Sequence, residues 1–133
     1  MQQTKRVPSW TNSINTIVPK FAYAGTHVVA DFWNGKVIKS KKELKQLLEG
    51  AAKAANSKPL QVSIYKFAPQ GITGVILLAE SHIAVHTWPE IGYIAIDIFT
   101  CGKEARPKEA LLYFKDYLKP ERVEVTEMKR GKK

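Results

Sequence analysis

Apolar residues recur along this chain with two different periods, and the switches between those periods divide it into elements. Over 25–33, Val28, Val29, Phe32 and Trp33 form a β-branched and aromatic run that reads as a strand, closed by the turn pair Asn34-Gly35. Ser40 stands three residues before Glu43, the spacing of a capping box at a helix start. Behind it Leu44, Leu47, Leu48, Ala51 and Ala55 return at helical spacing and predict a helix of about 16 residues with one apolar face. Pro59 follows its end. Strands are predicted over 60–67 and 73–79, joined by Ala68-Pro69-Gln70-Gly71, and over 82–88 and 93–100, joined by Pro89-Glu90-Ile91-Gly92. Pro107 suits the first turn of a second helix, whose apolar face is Ala110, Leu111, Phe114 and Leu118. Pro120 ends that helix, and Val123 and Val125 mark a last short strand.

The order is βαββ followed by its mirrored partner ββαβ. It predicts an α+β two-layer sandwich, a largely antiparallel sheet with two helices on one face. Residues 1–24 are polar, carry Pro8 and Pro19 without a period, and read as a loose extension ahead of a single domain over 25–133.

Composition narrows the function classes. With 133 residues, 44% hydrophobic and 25% charged, the chain has the profile of one soluble globular domain. No apolar run approaches the roughly 20 residues that span a bilayer. The stretch from Met1 to Lys20 lacks the apolar block of a secretory signal. A cytoplasmic protein with no membrane partner is expected. The net charge of +9 raises the question of nucleic acid. However, Lys41, Lys42, Lys45 and Lys53 belong to one helix face, and Lys129, Arg130, Lys132 and Lys133 to a tail. Such charge is that of solvated surface, and no nucleic-acid partner is expected. The single cysteine, Cys101, excludes an intrachain disulfide and starts as a small buried hydrophobe unless its surroundings say otherwise.

The chemistry is concentrated in Ala79-Glu80-Ser81-His82-Ile83-Ala84-Val85-His86-Thr87-Trp88-Pro89-Glu90 and Asp97-Ile98-Phe99-Thr100-Cys101-Gly102. If 89–92 is the turn of an antiparallel hairpin, Trp88 faces Tyr93, Ala84 faces Asp97, and Cys101 falls opposite Glu80, beside Ser81. His86 is harder to place. Five extended residues separate it from Ser81 by roughly 16 Å, so it meets that serine only through a bend or from a second protomer related by a twofold. The plain alternative is a satisfied sheet histidine. His82 and His86 have helical metal spacing, but on a strand they are roughly 13 Å apart, and no metal site is expected. The residues alone suggest a serine, a thiol and an imidazole, and leave the reaction unnamed.

These runs resemble the short prokaryotic class of S-adenosylmethionine decarboxylase proenzymes, as do Phe67-Ala68-Pro69-Gln70-Gly71-Ile72-Thr73-Gly74 and Gly25-Thr26-His27 upstream. The resemblance implies self-processing. Ser81 Oγ attacks the Glu80 carbonyl, β-elimination splits the ester, and hydrolysis of the dehydroalanine leaves a pyruvoyl group, the covalent cofactor, on an α chain of residues 81–133. Residues 1–80 become the β chain. By the same resemblance His86 acts as acid and base in processing, and Thr73 takes the place of a hydrogen-bonding serine. Cys101 returns a proton to the substrate carbon after CO2 leaves. Phe67 stacks on adenine, Trp88 lines the pocket and Glu90 binds ribose hydroxyls. The resemblance also implies an α2β2 dimer with the active site at its interface, and a product that donates aminopropyl groups for spermidine.

Two other readings stay open at this point. Relatives with the same processing chemistry decarboxylate arginine or ornithine. A basic binding module without enzymatic activity would instead leave the chain uncut and bind in a salt-sensitive way.

Overall fold

The computed structural model describes residues 23–132. Strand β1 (Gly25–Trp33) leads to helix α1 (Lys41–Ala54), followed by β2 (Pro59–Lys66), β3 (Ile72–Leu78), β4 (Ser81–Trp88) and β5 (Tyr93–Cys101). Helix α2 (Pro107–Leu118) and β6 (Arg122–Arg130) complete the described elements. This is the βαββ–ββαβ order expected from the periodicity. The strands form one six-stranded sheet in the order β2-β3-β4-β5-β1-β6, antiparallel at every junction. The loose extension expected over 1–24 falls, for residues 1–22, outside the described residues, while Ala24 is already tied to the sheet by its N–H to the Arg130 carbonyl at 2.8 Å.

Both helices pack on the same face. Their buried residues are Leu44, Leu47, Leu48, Ala51 and Ala52 of α1 and Ala110, Phe114 and Leu118 of α2. They meet the inward positions Val28, Ala30 and Phe32 of β1, Ile76 of β3, Ile83 and Val85 of β4, and Ile94, Ile96 and Ile98 of β5. Helix α1 comes so close to the sheet that a side chain at Gly74 would sit 2.7 Å from Leu44 Cδ2, which accounts for a glycine inside a strand.

The cap of α1 differs from the expected box in one partner. Ser40 Oγ accepts from the Glu43 N–H at 3.0 Å as anticipated, but Glu43 Oε1 accepts from the Lys39 N–H at 2.8 Å. Its other oxygen accepts from the Tyr117 hydroxyl, so the carboxylate that caps one helix also holds the second. Strand β6 is longer than the short strand expected. Its alternation is weak because it is an edge strand, exposed along most of its length.

Phe114 is fully buried, whereas Leu112 on the same helix is 52% exposed. Phe114→Ala is expected to lower unfolding free energy by about 3–5 kcal/mol in chemical denaturation. Leu112→Ala should change it by less than about 0.5 kcal/mol. Equal losses would contradict the placement of the core.

Candidate active site

The β4–β5 hairpin turns through a 3-10 segment, Pro89–Ile91, and Gly92, whose φ of 67° is the left-handed conformation glycine favours. From that turn the register runs Trp88↔Tyr93, His86↔Ala95, Ala84↔Asp97 and His82↔Phe99. This is the pairing deduced from the sequence. Strand alternation puts Ile83 and Val85 under the helices and His82, Ala84 and His86 on the opposite, helix-free face. Asp97, Phe99 and Cys101 of β5 share that face.

At one end of the face the chain reverses between β3 and β4 through Ala79 and Glu80, with Leu78 paired to Ser81. Glu80 has φ 68°, a left-handed conformation that costs a residue with a Cβ roughly 1–2 kcal/mol. The strained residue is therefore the one whose carbonyl Ser81 follows. Cys101 Sγ donates to that carbonyl at 3.0 Å. The thiol is held above its usual pKa, first by burial and then by the Glu80 carboxylate, so it remains protonated at neutral pH. A neutral S–H on a carbonyl oxygen polarises that carbonyl and keeps a proton ready for delivery. A thiolate nucleophile would need the opposite surroundings.

His27 of β1 lies across Phe99 from this turn, with ring centroids 5.4 Å from Phe99 and 6.5 Å from His82. Arg130 Nη1 is 3.2 Å from His27 Nδ1. A guanidinium only donates, so Nδ1 accepts and the neutral ring carries its proton on Nε2. Burial is the main cause of a lowered His27 pKa, opposed by Asp97 and reinforced by Arg130 and His82. Nε2 is buried without a hydrogen-bond partner among the described residues, 3.8 Å from Asp97 Oδ1.

A second group occupies the other end of the face. Thr73 of β3 pairs with His86, and their Oγ1 and Nδ1 atoms are 3.2 Å apart. His86 neighbours Trp88 at 6.3 Å, Trp88 stacks on Tyr93 at 5.2 Å, and Tyr93 stacks on Trp33 at 4.7 Å. The Tyr93 hydroxyl donates to Asp31 Oδ1, and chiefly through that bond its pKa is pushed up to about 12. Phe67, beside Tyr65 at 4.8 Å, lies at this end as well, because a side chain added at Gly71 would meet both Phe67 and the Thr87 carbonyl. Glu90 is exposed on the 3-10 turn, and Phe67 and Trp88 are 47% and 41% exposed, open enough to receive a ligand.

The anticipated residues are thus gathered in two places. Glu80, Ser81 and Cys101 meet at one end, while Thr73, His86, Phe67, Trp88 and Glu90 meet at the other. Within one protomer β4 runs as a continuous strand between them, without a bend that would bring His86 to Ser81. The roles of His27, Asp31, Asp97, Tyr93 and Arg130 were not read from the sequence. The alternation of β1 could have placed His27 and Asp31 outward, but its neighbours β5 and β6 are distant in sequence. Among the described residues no group of three or more His, Cys, Asp or Glu is placed to hold a metal ion.

Comparison with known proteins covers nearly the whole described region. The family described as S-adenosylmethionine decarboxylase matches residues 26–131. The S-adenosylmethionine decarboxylase proenzyme of Methanococcus maripaludis is 40% identical over 109 residues, covering 80% of this chain and 89% of the relative. The proenzyme of Caldicellulosiruptor saccharolyticus is 37% identical over 109 residues, covering 80% and 88%. The crystal structure of the adenosylmethionine decarboxylase from Aquifex aeolicus superposes with a TM-score of 0.77 at 37% identity, covering 84% of this chain and 93% of that one.

The state of Cys101 is directly measurable. In a Ser81→Ala chain, which keeps the peptide bond after Glu80 whole, iodoacetamide should alkylate Cys101 more slowly than a free cysteine at pH 7.5. The rate should keep rising with pH beyond the ordinary thiol midpoint, as the raised pKa requires. Mass spectrometry of timed aliquots reads both. Faster alkylation than the free thiol would show a thiolate and contradict the acid role.

Proposed function

Since the chain belongs to the S-adenosylmethionine decarboxylase family, we propose that it cuts itself between Glu80 and Ser81 and then decarboxylates S-adenosylmethionine with a pyruvoyl group derived from Ser81. The observation that carries this reading is the Cys101 thiol, protonated and 3.0 Å from the Glu80 carbonyl oxygen, at a turn whose Glu80 backbone is strained.

In processing, Ser81 Oγ adds to the Glu80 carbonyl carbon, and the Cys101 S–H stabilises the oxygen that gains charge. Collapse of that adduct moves the acyl group from nitrogen to oxygen. His86, with Thr73 holding its Nδ1, supplies the acid and base needed to move protons through this shift and the elimination that follows. The elimination releases residues 1–80 with an ordinary carboxylate terminus, and water then displaces ammonia from residue 81. The same geometry suits a residue 81 that has become a pyruvoyl group, because the thiol already faces the junction. When formed, that group supplies a ketone that captures the substrate amine and accepts the electron pair left by departing CO2. Cys101 then hands its proton to the substrate carbon, and its raised pKa keeps that proton in place at neutral pH until it is needed.

Ser81 and Cys101 need His86, and on one chain they are a strand apart. We therefore assign the active unit to a twofold α2β2 dimer in which the helix-free sheet faces meet. The β4 strand of one protomer then carries its His86 end to the Ser81 end of the other. In that arrangement Phe67, Trp88 and Glu90 contribute the adenine, pocket and ribose contacts from the far end of the face. The product is an aminopropyl donor for spermidine synthesis. None of the described helices is long and apolar enough to cross a membrane. A free cysteine at the active centre favours a reducing compartment, the cytoplasm.

The test is intact mass followed by CO2 release from carboxyl-labelled S-adenosylmethionine, arginine and ornithine in parallel. The purified protein should show two chains, the 81–133 chain lighter than its serine form by one ammonia, and should turn over S-adenosylmethionine alone. Ser81→Ala should stay whole and inactive, and His86→Ala should stall before cleavage. Cys101→Ala should cleave at least in part while losing at least about 100-fold in turnover, the scale of one lost general acid. Glu90→Gln should raise KM for S-adenosylmethionine more than it lowers kcat. A single full-length mass after incubation would overturn the processing assignment. Turnover of arginine or ornithine instead would overturn the roles given to Phe67 and Glu90.

A further inference from the structure

The two edges of the sheet are protected very differently. At one edge β6 carries Arg122, Glu124, Glu127, Lys129 and Arg130, charges that discourage a further strand from pairing with it. At the other, β2 runs Leu60-Gln61-Val62-Ser63-Ile64-Tyr65 without a charge, and Leu60 and Tyr65 are 60% and 63% exposed. The free side of β2 follows from its ladder. The Phe67 N–H donates to the Gly71 carbonyl at 2.8 Å, so Phe67 and, two residues at a time, Tyr65, Ser63 and Gln61 turn their backbone groups toward β3. The N–H and C=O of Val62, Ile64 and Lys66 point the other way, where the described residues place no further strand.

Beside that edge lies an open groove of about 730 Å3 between β2 and α1. Its β2 side is apolar, formed by the exposed Leu60 and by Val62 and Ile64, which pack against the core from its rim. Its α1 side holds Lys41, Lys42 and Lys45 against the single carboxylate of Glu49. None of these four is in an ion pair among the described residues. Unpaired strand backbone, apolar side chains and a surplus of positive charge therefore lie side by side.

We propose that β2 and this groove receive an extended acidic segment of a partner protein, which adds to the sheet as a seventh strand. Its backbone pairs with the outward N–H and C=O groups of Val62 and Ile64, the mode by which open sheet edges bind peptides. Glutamates on its groove side lay their methylenes on Leu60, Val62 and Ile64 and carry their carboxylates to Lys41, Lys42 and Lys45. A second copy of this chain is a poorer occupant. Pairing β2 with itself about a twofold would bring both sets of lysines to the same side of one junction, where like charges repel. The groove opens on the helix side, so the segment leaves the face of Cys101 and His86 free.

Fluorescence anisotropy of the full protein with a labelled heptapeptide of alternating glutamate and valine tests the proposal. Saturable binding of one peptide per chain is expected, weakening as salt is raised. The same peptide with lysine for glutamate should not bind. Methylating the alternate backbone amides that face β2 should weaken the glutamate peptide by at least about tenfold, the scale of one or two lost hydrogen bonds. Lys41→Ala with Lys45→Ala should weaken it several-fold, whereas Lys53→Ala with Lys115→Ala removes the same charge outside the groove and should leave binding unchanged. Val62→Pro takes away one outward N–H, a loss an edge strand tolerates, and should weaken binding as well. Should that variant misfold, the methylated peptide on the unaltered protein decides the matter alone. Absence of saturable binding overturns the proposal, as does equal binding of the lysine or methylated peptide, or equal loss in the Lys53 and Lys115 control. A particle mass that falls in the folded Val62→Pro variant would show a second copy on this edge and overturn it too.

Discussion

The register of β4 against β5 is the constraint on which the site depends. The 3-10 turn at Pro89–Ile91 starts the pairing at Trp88↔Tyr93, and every later contact follows from that start. A slip of one residue would turn one of the two strands over: either β5 carries Cys101 to the helix side and lifts the buried Ile96 and Ile98 into solvent, or β4 buries His82 and His86 and lifts the buried Ile83 and Val85. The apolar core thus enforces the chemistry on the other face. The thiol reaches the Glu80 carbonyl because the isoleucines opposite cannot leave the helices.

That arrangement separates two demands that would conflict at one point of a small domain. The Glu80-Ser81 turn holds strain and a proton donor, and the Phe67, Trp88 and Glu90 end holds open aromatic and acidic surface. A domain with a core this modest gains little by enclosing a substrate between its own two layers, which α1 and α2 already fill. The helix-free sheet face, which carries Cys101, His86 and Trp88, is left open, and a second copy of the same face is the simplest means of closing it.

Much of this was legible in the sequence because it is local. The capping serine, the two helical stripes and the hairpin pairing of Ala84 with Asp97 depend on residues near one another in the chain. The long-range part was not. Strand β1 enters between β5 and β6, which brings Asp31 to Tyr93 and His27 to Phe99 across more than sixty positions, and no pattern in the sequence specifies those neighbours. The left-handed backbone at Glu80 was also hidden, since glycine or asparagine would have marked it and a glutamate does not. Edge strand β6 escaped full recognition because its polar residues face water on both sides, and without a buried face there is little alternation to read.

The most direct test of a site divided between protomers is in-trans complementation. Chains carrying Ser81→Ala and His86→Ala, each with its own tag, would be expressed together and the mixed particles recovered through both tags. The His86→Ala chain alone is expected to stay whole. In the mixture its intact Ser81 meets a wild-type His86 from the other chain, so intact mass should show it cut at Glu80-Ser81. A His86→Ala chain that remains whole in the mixed particles, or that is cut equally well alone, would contradict the division of the site between two copies.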